Sequence, residues 1–244
     1  MNRLPKMRAF ILSVLALCAL FSTAQRPNQL ATPTPIAHGS TLVIGFLGGY
    51  DRWNDSHRSV RQLVLKLRQT PGVYAESISN HHRALALHLI REALDTNRNG
   101  KLDPDERANV RLILFGQSWG GTATIATARD LQKLGIPVLL TVQIDSVGVH
   151  DDIIPSNVRA AVNFYQHDPF TTIHGRALIR AADPSHTEIL GNFESSYVFR
   201  SVDQSNASRA RQVFGGSHTK MELDPVVWNR VEQYISDAIA RRLP

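Results

Sequence analysis

The chain predicts an α/β protein: a three-layer α/β/α sandwich on a mostly parallel sheet. Three observations carry this. Strand-like and helix-like segments alternate over about 200 residues from Thr41 onward, the pattern of βα units wound onto one sheet. Thr41 to Leu47 (TLVIGFL) is an almost unbroken apolar run, as a strand buried on both faces requires. Arg111 to Gly121 (RLILFGQSWGG) passes from an apolar run through a glycine-flanked serine into the Ala-rich TATIATARDLQKLG, which reads as strand, tight turn, helix.

The elements follow in order. After the first strand the chain empties into Gly48-Gly49-Tyr50-Asp51. Ser59 to Gln69 places Val60, Leu63, Val64 and Leu67 at helical spacing, and Pro71-Gly72 stops it. Val73 to Ile78 reads as a second strand, Ala84 to Leu94 as a second helix, and Arg111 to Phe115 as the strand before the serine turn. The following helix carries Ile125, Ala128 and Leu131 on one side and is closed by Gly135 and Pro137. Val138 to Ile144 and Val158 to Tyr165 are further strands. Asp224 and Pro225 form an N-cap and first-turn pair opening a last helix, with Val227, Val231, Ile235 and Ala238 inward. No internal repeat is present.

Before the domain, residues 1–24 read as a secretory signal peptide. Arg3, Lys6 and Arg8 precede the apolar run Ala9 to Phe21, and Ser22-Thr23-Ala24 supplies small residues for cleavage. A run that short does not comfortably span a bilayer. Cys18 lies inside it and invites lipidation, but Leu17 occupies the preceding position, where a small residue is expected. Cleavage after Ala24 leaves a mature chain without cysteine, hence without disulfide or thiol chemistry. It also leaves 24 basic against 21 acidic residues, a net charge of +3 rather than +6. With no run of like charge and no interleaving of basic and aromatic residues, this excludes nucleic acid as the expected partner. Residues 25–40, with Pro27, Pro33 and Pro35 among Thr, Asn and Gln, read as a flexible exported linker. Residues 41–244 then suit one domain with its own core.

Gly116, Ser118 and Gly120 make a Gly-x-Ser-x-Gly pattern. Alone it is weak, because chance supplies it in roughly one chain in fifteen of this length. Between a strand and a helix it holds a serine in a strained turn, clear of the sheet and against backbone N–H groups. GQSWGG resembles the nucleophile turn of the α/β-hydrolase superfamily, with Gln117 where many members carry His. The resemblance covers Thr41 to the C-terminus and is to a small member lacking the first strands of larger ones. It implies an order of serine, acid, histidine, with the histidine in the last loop before the final helix. His218 holds that position, ahead of His150, His167, His174 and His186. For the acid, Asp145 directly follows the strand LLTVQI and Asp168 follows VNFYQ; Asp145 is favoured, since Asp168 precedes Pro169 and suits a turn cap. The resemblance also implies an oxyanion hole from the N–H of Trp119 and one N–H of Gly48, Gly49 or Tyr50. Asp151 and Asp152 read as solvated loop charge.

A second motif is sharper. Asp95 to Glu106 (DTNRNGKLDPDE) resembles the twelve-residue calcium loop of an EF-hand or dockerin module. Asp95, Asn97 and Asn99 stand at positions 1, 3 and 5, Gly100 at the bend, Lys101 offering its carbonyl, Asp103 at position 9 and Glu106 at 12. The loop is unpaired and its exit helix can run only a turn or two before Arg111. It joins a helix to the start of a strand, at the end of the sheet opposite Ser118, so calcium is expected as a structural staple. No organic cofactor is expected. His57, His81 and His82 fall on the catalytic rim, where they shape a pocket or hold a metal; no His-x-x-x-His and no cysteine ligand supports a transition-metal site.

The expected function is an exported serine hydrolase acting on a carboxylic ester or related acyl bond, on a small-molecule or lipid substrate, without a membrane span once the signal is removed. The alternatives are a catalytically inactive, calcium-stabilised binding protein on the same fold and a metal-assisted hydrolase. Phe170 to Gly216 is long enough to form a lid or pocket wall, and Phe170, Ile173, Leu178, Ile179, Ile189, Leu190 and Phe193 are candidates to line an acyl site or the core.

Overall fold

The computed structural model describes residues 25–169 and 171–240. The signal peptide, Cys18 and Phe170 therefore lie outside the described residues. Six parallel strands form the sheet: β1 (Thr41–Leu47), β2 (Val73–Ser79), β3 (Leu112–Gln117), β4 (Val138–Ile144), β6 (Val158–Tyr165) and β8 (Glu188–Glu194), in the order β2-β1-β3-β4-β6-β8. Two short strands, β5 (Ile153–Ile154) and β7 (Arg180–Ala181), pair separately.

Every residue of β1 is buried, because helices cover both faces. Val43 and Leu47 point to one side, where α1 (Ser59–Leu67) and the last helix, α7 (Pro225–Ile239), bring Val60, Leu63, Val64, Val227, Val231 and Ile235. Leu42, Ile44 and Phe46 point to the other, where α2 (Arg83–Leu94) and α4 (Trp119–Lys133) bring Leu89, Ile90, Ile125, Ala128 and Leu131. Alternation along the strand and 3.6-residue periodicity along the helices thus meet in two cores, one per face. This is a three-layer α/β/α sandwich on a parallel sheet.

The chain steps outward from β1 to β2, then returns to place β3 on the other side of β1. The order therefore reverses between β1 and β3, and their trailing loops diverge there to leave a crevice. Two glycines bring the start of α4 into it. A Cβ on Gly120 would stand 2.0 Å from the carbonyl oxygen of Phe46, and one on Gly116 would stand 2.2 Å from that of Gly120.

Three segments differ from the sequence expectations. Part of the region read as a lid is β8, an edge strand; its apolar signal is broken by Gly191 at a bulge opposite Ala161 and Val162. Ile179 is buried in the core, Ile189, Leu190 and Phe193 are half-buried against it, and Leu178 is exposed. His218 lies in a short helix, α6 (Gly216–Leu223), preceded by α5 (Arg209–Phe214), rather than in a loop. Residues 31–36, read as flexible linker, pack on the domain: buried Glu76 accepts from the Ala31 and Thr32 amides, and Ile36 donates to the Ala93 carbonyl. The remaining helix, α3 (Pro104–Ala108), is as short as its distance to β3 requires.

Because α4 and β1 meet backbone to backbone, Gly120→Ala is expected to destabilise the fold by about 1–3 kcal/mol through overpacking, read as a lowered midpoint in urea denaturation.

Candidate active site

Ser118 stands between β3 and α4 with φ 58° and ψ −127°, a left-handed conformation costly for a residue with a side chain. The turn is held because the Ser118 amide donates to the Ile144 carbonyl at 2.9 Å, tying it to the end of β4. That leaves the hydroxyl facing the crevice.

Asp145, the residue after β4, is fully buried and also has positive φ, 45°. Its carboxylate accepts from the Gly175 amide at 2.8 Å, from the Gln166 amide at 3.3 Å and from the Gln166 side chain at 3.0 Å. The remaining partner is His218, whose Nδ1 lies 2.6 Å from Oδ2. On the far edge of the ring, Nε2 lies 3.0 Å from Ser118 Oγ and 3.3 Å from the Gln117 side-chain nitrogen. An Nδ1–H donated to Asp145 leaves Nε2 as the acceptor for both.

Asp168, the other acid considered, is placed elsewhere. It accepts from Ser217 Oγ at 2.6 Å, Ser196 Oγ at 2.8 Å and the Tyr197 amide at 2.7 Å. Burial raises its pKa, but these hydrogen bonds outweigh burial and hold it below the ordinary aspartate value. Since Ser217 adjoins His218, Asp168 anchors the start of α6. Asp151 differs from its reading as solvated charge: it is fully buried, accepting from Ser146, from Thr122 at 3.1 Å, from the Gly148 amide at 3.2 Å and from Arg176 Nε at 3.0 Å. Burial again pushes upward and the hydrogen bonds win, leaving its pKa lowered. Sequence pattern missed it because a run of loop residues carries no periodicity from which burial can be read.

The loop after β1 closes the crevice. A Cβ on Gly48 would stand 2.9 Å from Ser118 Cβ, so its backbone runs directly beside the serine. Asn80 braces this loop, donating to the Leu47 carbonyl at 2.9 Å and the Gly49 carbonyl at 2.6 Å. Trp119 begins α4, so its N–H has no acceptor within the helix. Behind the loop, Arg211 binds Asp51 at 2.7 and 2.8 Å and Glu222 at 2.5 Å, while Arg58 binds Glu222 at 3.0 Å. Burial raises the Asp51 pKa most, with Glu222 adding to it and Arg211 and Arg58 opposing. Sequence distance of about 160 residues hides this network.

The crevice is a cleft of about 670 Å³ lined by Gly49, Tyr50, Ser118, Trp119, Ile173 and His218, among others. Of the competing histidines, His174 lines the cleft and stacks on His167 at 4.6 Å, His150 is exposed, and His186 pairs with Asp183 at 2.9 Å on the surface. His57 pairs with Asp55, and His81 stacks on Tyr50. Among the described residues, no three His, Cys, Asp or Glu side chains converge to hold a metal.

In the 95–106 loop, the Asp95 carboxylate accepts from the Asn99 and Gly100 amides, and the Asn99 side-chain oxygen from the Lys101 amide. Gly100 takes φ 80° at the bend. Asp103 and Glu106 form a capping box on α3, and Glu106 also accepts from Thr96 and Asn97. The order of donors is that of a calcium loop, but here Glu106 is engaged by N–H groups, which a cation would have to displace.

No protein-family model matches the chain, and no curated protein does. Among solved structures it is similar to a cutinase-like protein from Cryptococcus sp., at 14% identity over 85% of this chain and 98% of that one, TM-score 0.45. It is also similar to a thermostable esterase from Pseudomonas putida, at 11% identity over 85% and 76%, TM-score 0.46. A third is a dienelactone hydrolase from Anabaena variabilis, at 13% identity over 84% and 88%, TM-score 0.40.

The lowered Asp168 pKa sets an acid limit. Its stabilisation is fully present above the unfolded value, 3.8, and is lost as pH falls through the folded value. Melting temperatures of the protein and of Asp168→Asn should therefore differ from neutral pH down to about pH 4, and draw together only as pH falls further, through the lower folded value.

Proposed function

We propose that the protein is an exported serine hydrolase that cleaves a carboxylic ester or related acyl bond. The observation that carries this reading is the continuous hydrogen-bonded line from Ser118 Oγ through His218 to the buried Asp145 carboxylate, at 3.0 and 2.6 Å. In the reaction, Ser118 Oγ attacks the substrate carbonyl carbon while His218 Nε2 takes its proton. Asp145 holds the ring and stabilises the imidazolium. The N–H of Trp119 and one N–H of the Gly48 to Tyr50 loop receive the oxyanion. Collapse expels the alcohol, which takes the proton from His218. Water, deprotonated by His218, then releases the acid and restores Ser118.

Export follows from the reading of residues 1–24, and the substrate is a small-molecule or lipid acyl compound. Among the described residues no helix is long and apolar enough to cross a membrane. Calcium belongs to the same proposal: Asp95, Asn97, Asn99, Asp103 and Glu106, with the Lys101 carbonyl, would hold it as a clasp between α2 and α3, away from the cleft. It supplies no step of the reaction.

Protein recovered from the exported fraction should begin at Gln25 and label with a fluorophosphonate, and Ser118→Ala should abolish the labelling. Asp145→Asn is expected to lower kcat by roughly 10⁴-fold, and Asp168→Asn by no more than about a hundredfold, as misplacement does. Absence of labelling in folded wild type would favour the inactive binding protein instead. Calcium at about 10 mM should raise the melting temperature by roughly 3–10 °C if the loop binds as weakly as extracellular modules do. EGTA should reverse the shift, and Glu106→Ala should remove it. Loss of activity in EGTA at an unchanged melting temperature would instead make the metal catalytic.

A further inference from the structure

Three aromatic rings meet at the mouth of the cleft. Tyr50 and His81 stack with centroids 4.9 Å apart and planes 28° apart. Trp119 stands edge-on to both, 5.7 Å from Tyr50 and 6.4 Å from His81. They come from three separate segments: the loop after β1, the turn after β2 and the residue following Ser118. Their meeting is therefore a product of the tertiary fold, and Asn80, beside His81, ties two of these segments together.

The cluster is open. Tyr50 is 83% exposed and Trp119 42%; large aromatic side chains left uncovered beside a cleft mark a binding surface. It is also continuous with the reacting centre, since Tyr50 and Trp119 line the same cleft as Ser118 and His218. Trp119 also borders a second depression of about 350 Å³, with His81, Arg83 and Thr122 in its wall. A group attached to the ester can thus lie across Trp119 from one hollow to the other. The cationic groups here already have partners: Arg211 in the cleft wall pairs with Asp51 and Glu222, and Arg83 in the second depression pairs with Asp130.

We infer that Tyr50, His81 and Trp119 form a shelf that seats a planar aromatic ring of the substrate, so that the preferred substrates are esters carrying an aryl group in one arm. The inference depends on the hydrolase reading of Ser118. Exposed π-faces at right angles offer a flat ring both an offset stack and an edge-to-face contact, which a saturated ring of the same size cannot match.

The test compares ester pairs in which the ring is two carbons from the reacting centre, so that intrinsic reactivity is equal. In the acyl arm these are ethyl 3-phenylpropanoate and ethyl 3-cyclohexylpropanoate; in the alcohol arm, 2-phenylethyl and 2-cyclohexylethyl acetate. Wild type is expected to favour the phenyl member of one pair by about three- to tenfold in kcat/KM. His81→Leu, Tyr50→Leu and Trp119→Leu should each bring that ratio toward one. Tyr50→Leu and Trp119→Leu keep the backbone N–H groups, and the ratio is the readout whatever the change in absolute rate. Fluorophosphonate labelling of every variant separates the two levels of the argument. A wild type that labels but shows no phenyl preference in either arm, or turns over no member of either pair, overturns the shelf alone, as does a preference that survives all three substitutions. A folded wild type that does not label overturns the hydrolase reading and the shelf with it.

Discussion

The cleft depends on how closely the start of α4 approaches the end of β1. Gly120 packs its backbone onto the Phe46 carbonyl, and Gly116 packs onto Gly120. No side chain fits between them. That contact drives the chain through a reversal so tight that Ser118 takes a left-handed conformation. The strain is small against the burial that enforces it, because both flanking elements lie in the core. A looser turn would let the serine relax into the sheet, away from Gly48 and from His218.

Three buried aspartates around this turn divide the remaining work by what their oxygens face. Asp145 spends its contacts on Gln166 and Gly175 and keeps one direction for His218. Asp168 turns its oxygens to Ser196, Tyr197 and Ser217, so it organises the segments around α6 and does not face an imidazole. Asp151 does the same for the loop that follows Asp145. A buried carboxylate without such partners would be neutral or costly, which is why each one is surrounded by donors from several elements. Arg58 and Arg211 perform the complementary service for Asp51 and Glu222 behind the β1 loop.

The loop at 95–106 shows how a local motif can keep its own order independently of the cleft. Its Asp and Asn side chains cap neighbouring amides in sequence, and its capping box starts α3. The same short-range chemistry that suits a calcium loop also suits a well-formed polar turn, since both need oxygen atoms aimed inward at positions fixed by the bend at Gly100.

The sequence by itself determined the layers and most of their bounds. β4 and β6 coincide with the apolar runs at 138–144 and 158–165, and α7 starts at the Asp224-Pro225 pair with its N-cap hydrogen bond made. Local periodicity and capping decide such elements, and both are written in adjacent residues. It also singled out Ser118 and His218, through a turn motif and a place in the chain order. β8 escaped because a half-buried edge strand interrupted by Gly191 has no clean alternation, and α6 because its short span carries almost no amphipathic signal. Only the tertiary structure decided which acid faces His218, that Asp151 is buried, that Asn80 braces the Gly48–Gly49 loop, and that Tyr50, His81 and Trp119 meet. Those relations join residues tens to more than a hundred positions apart, across strands whose order in the sheet is not their order in the chain. The geometry that selects among several aspartates and histidines comes into being only when the sheet is assembled.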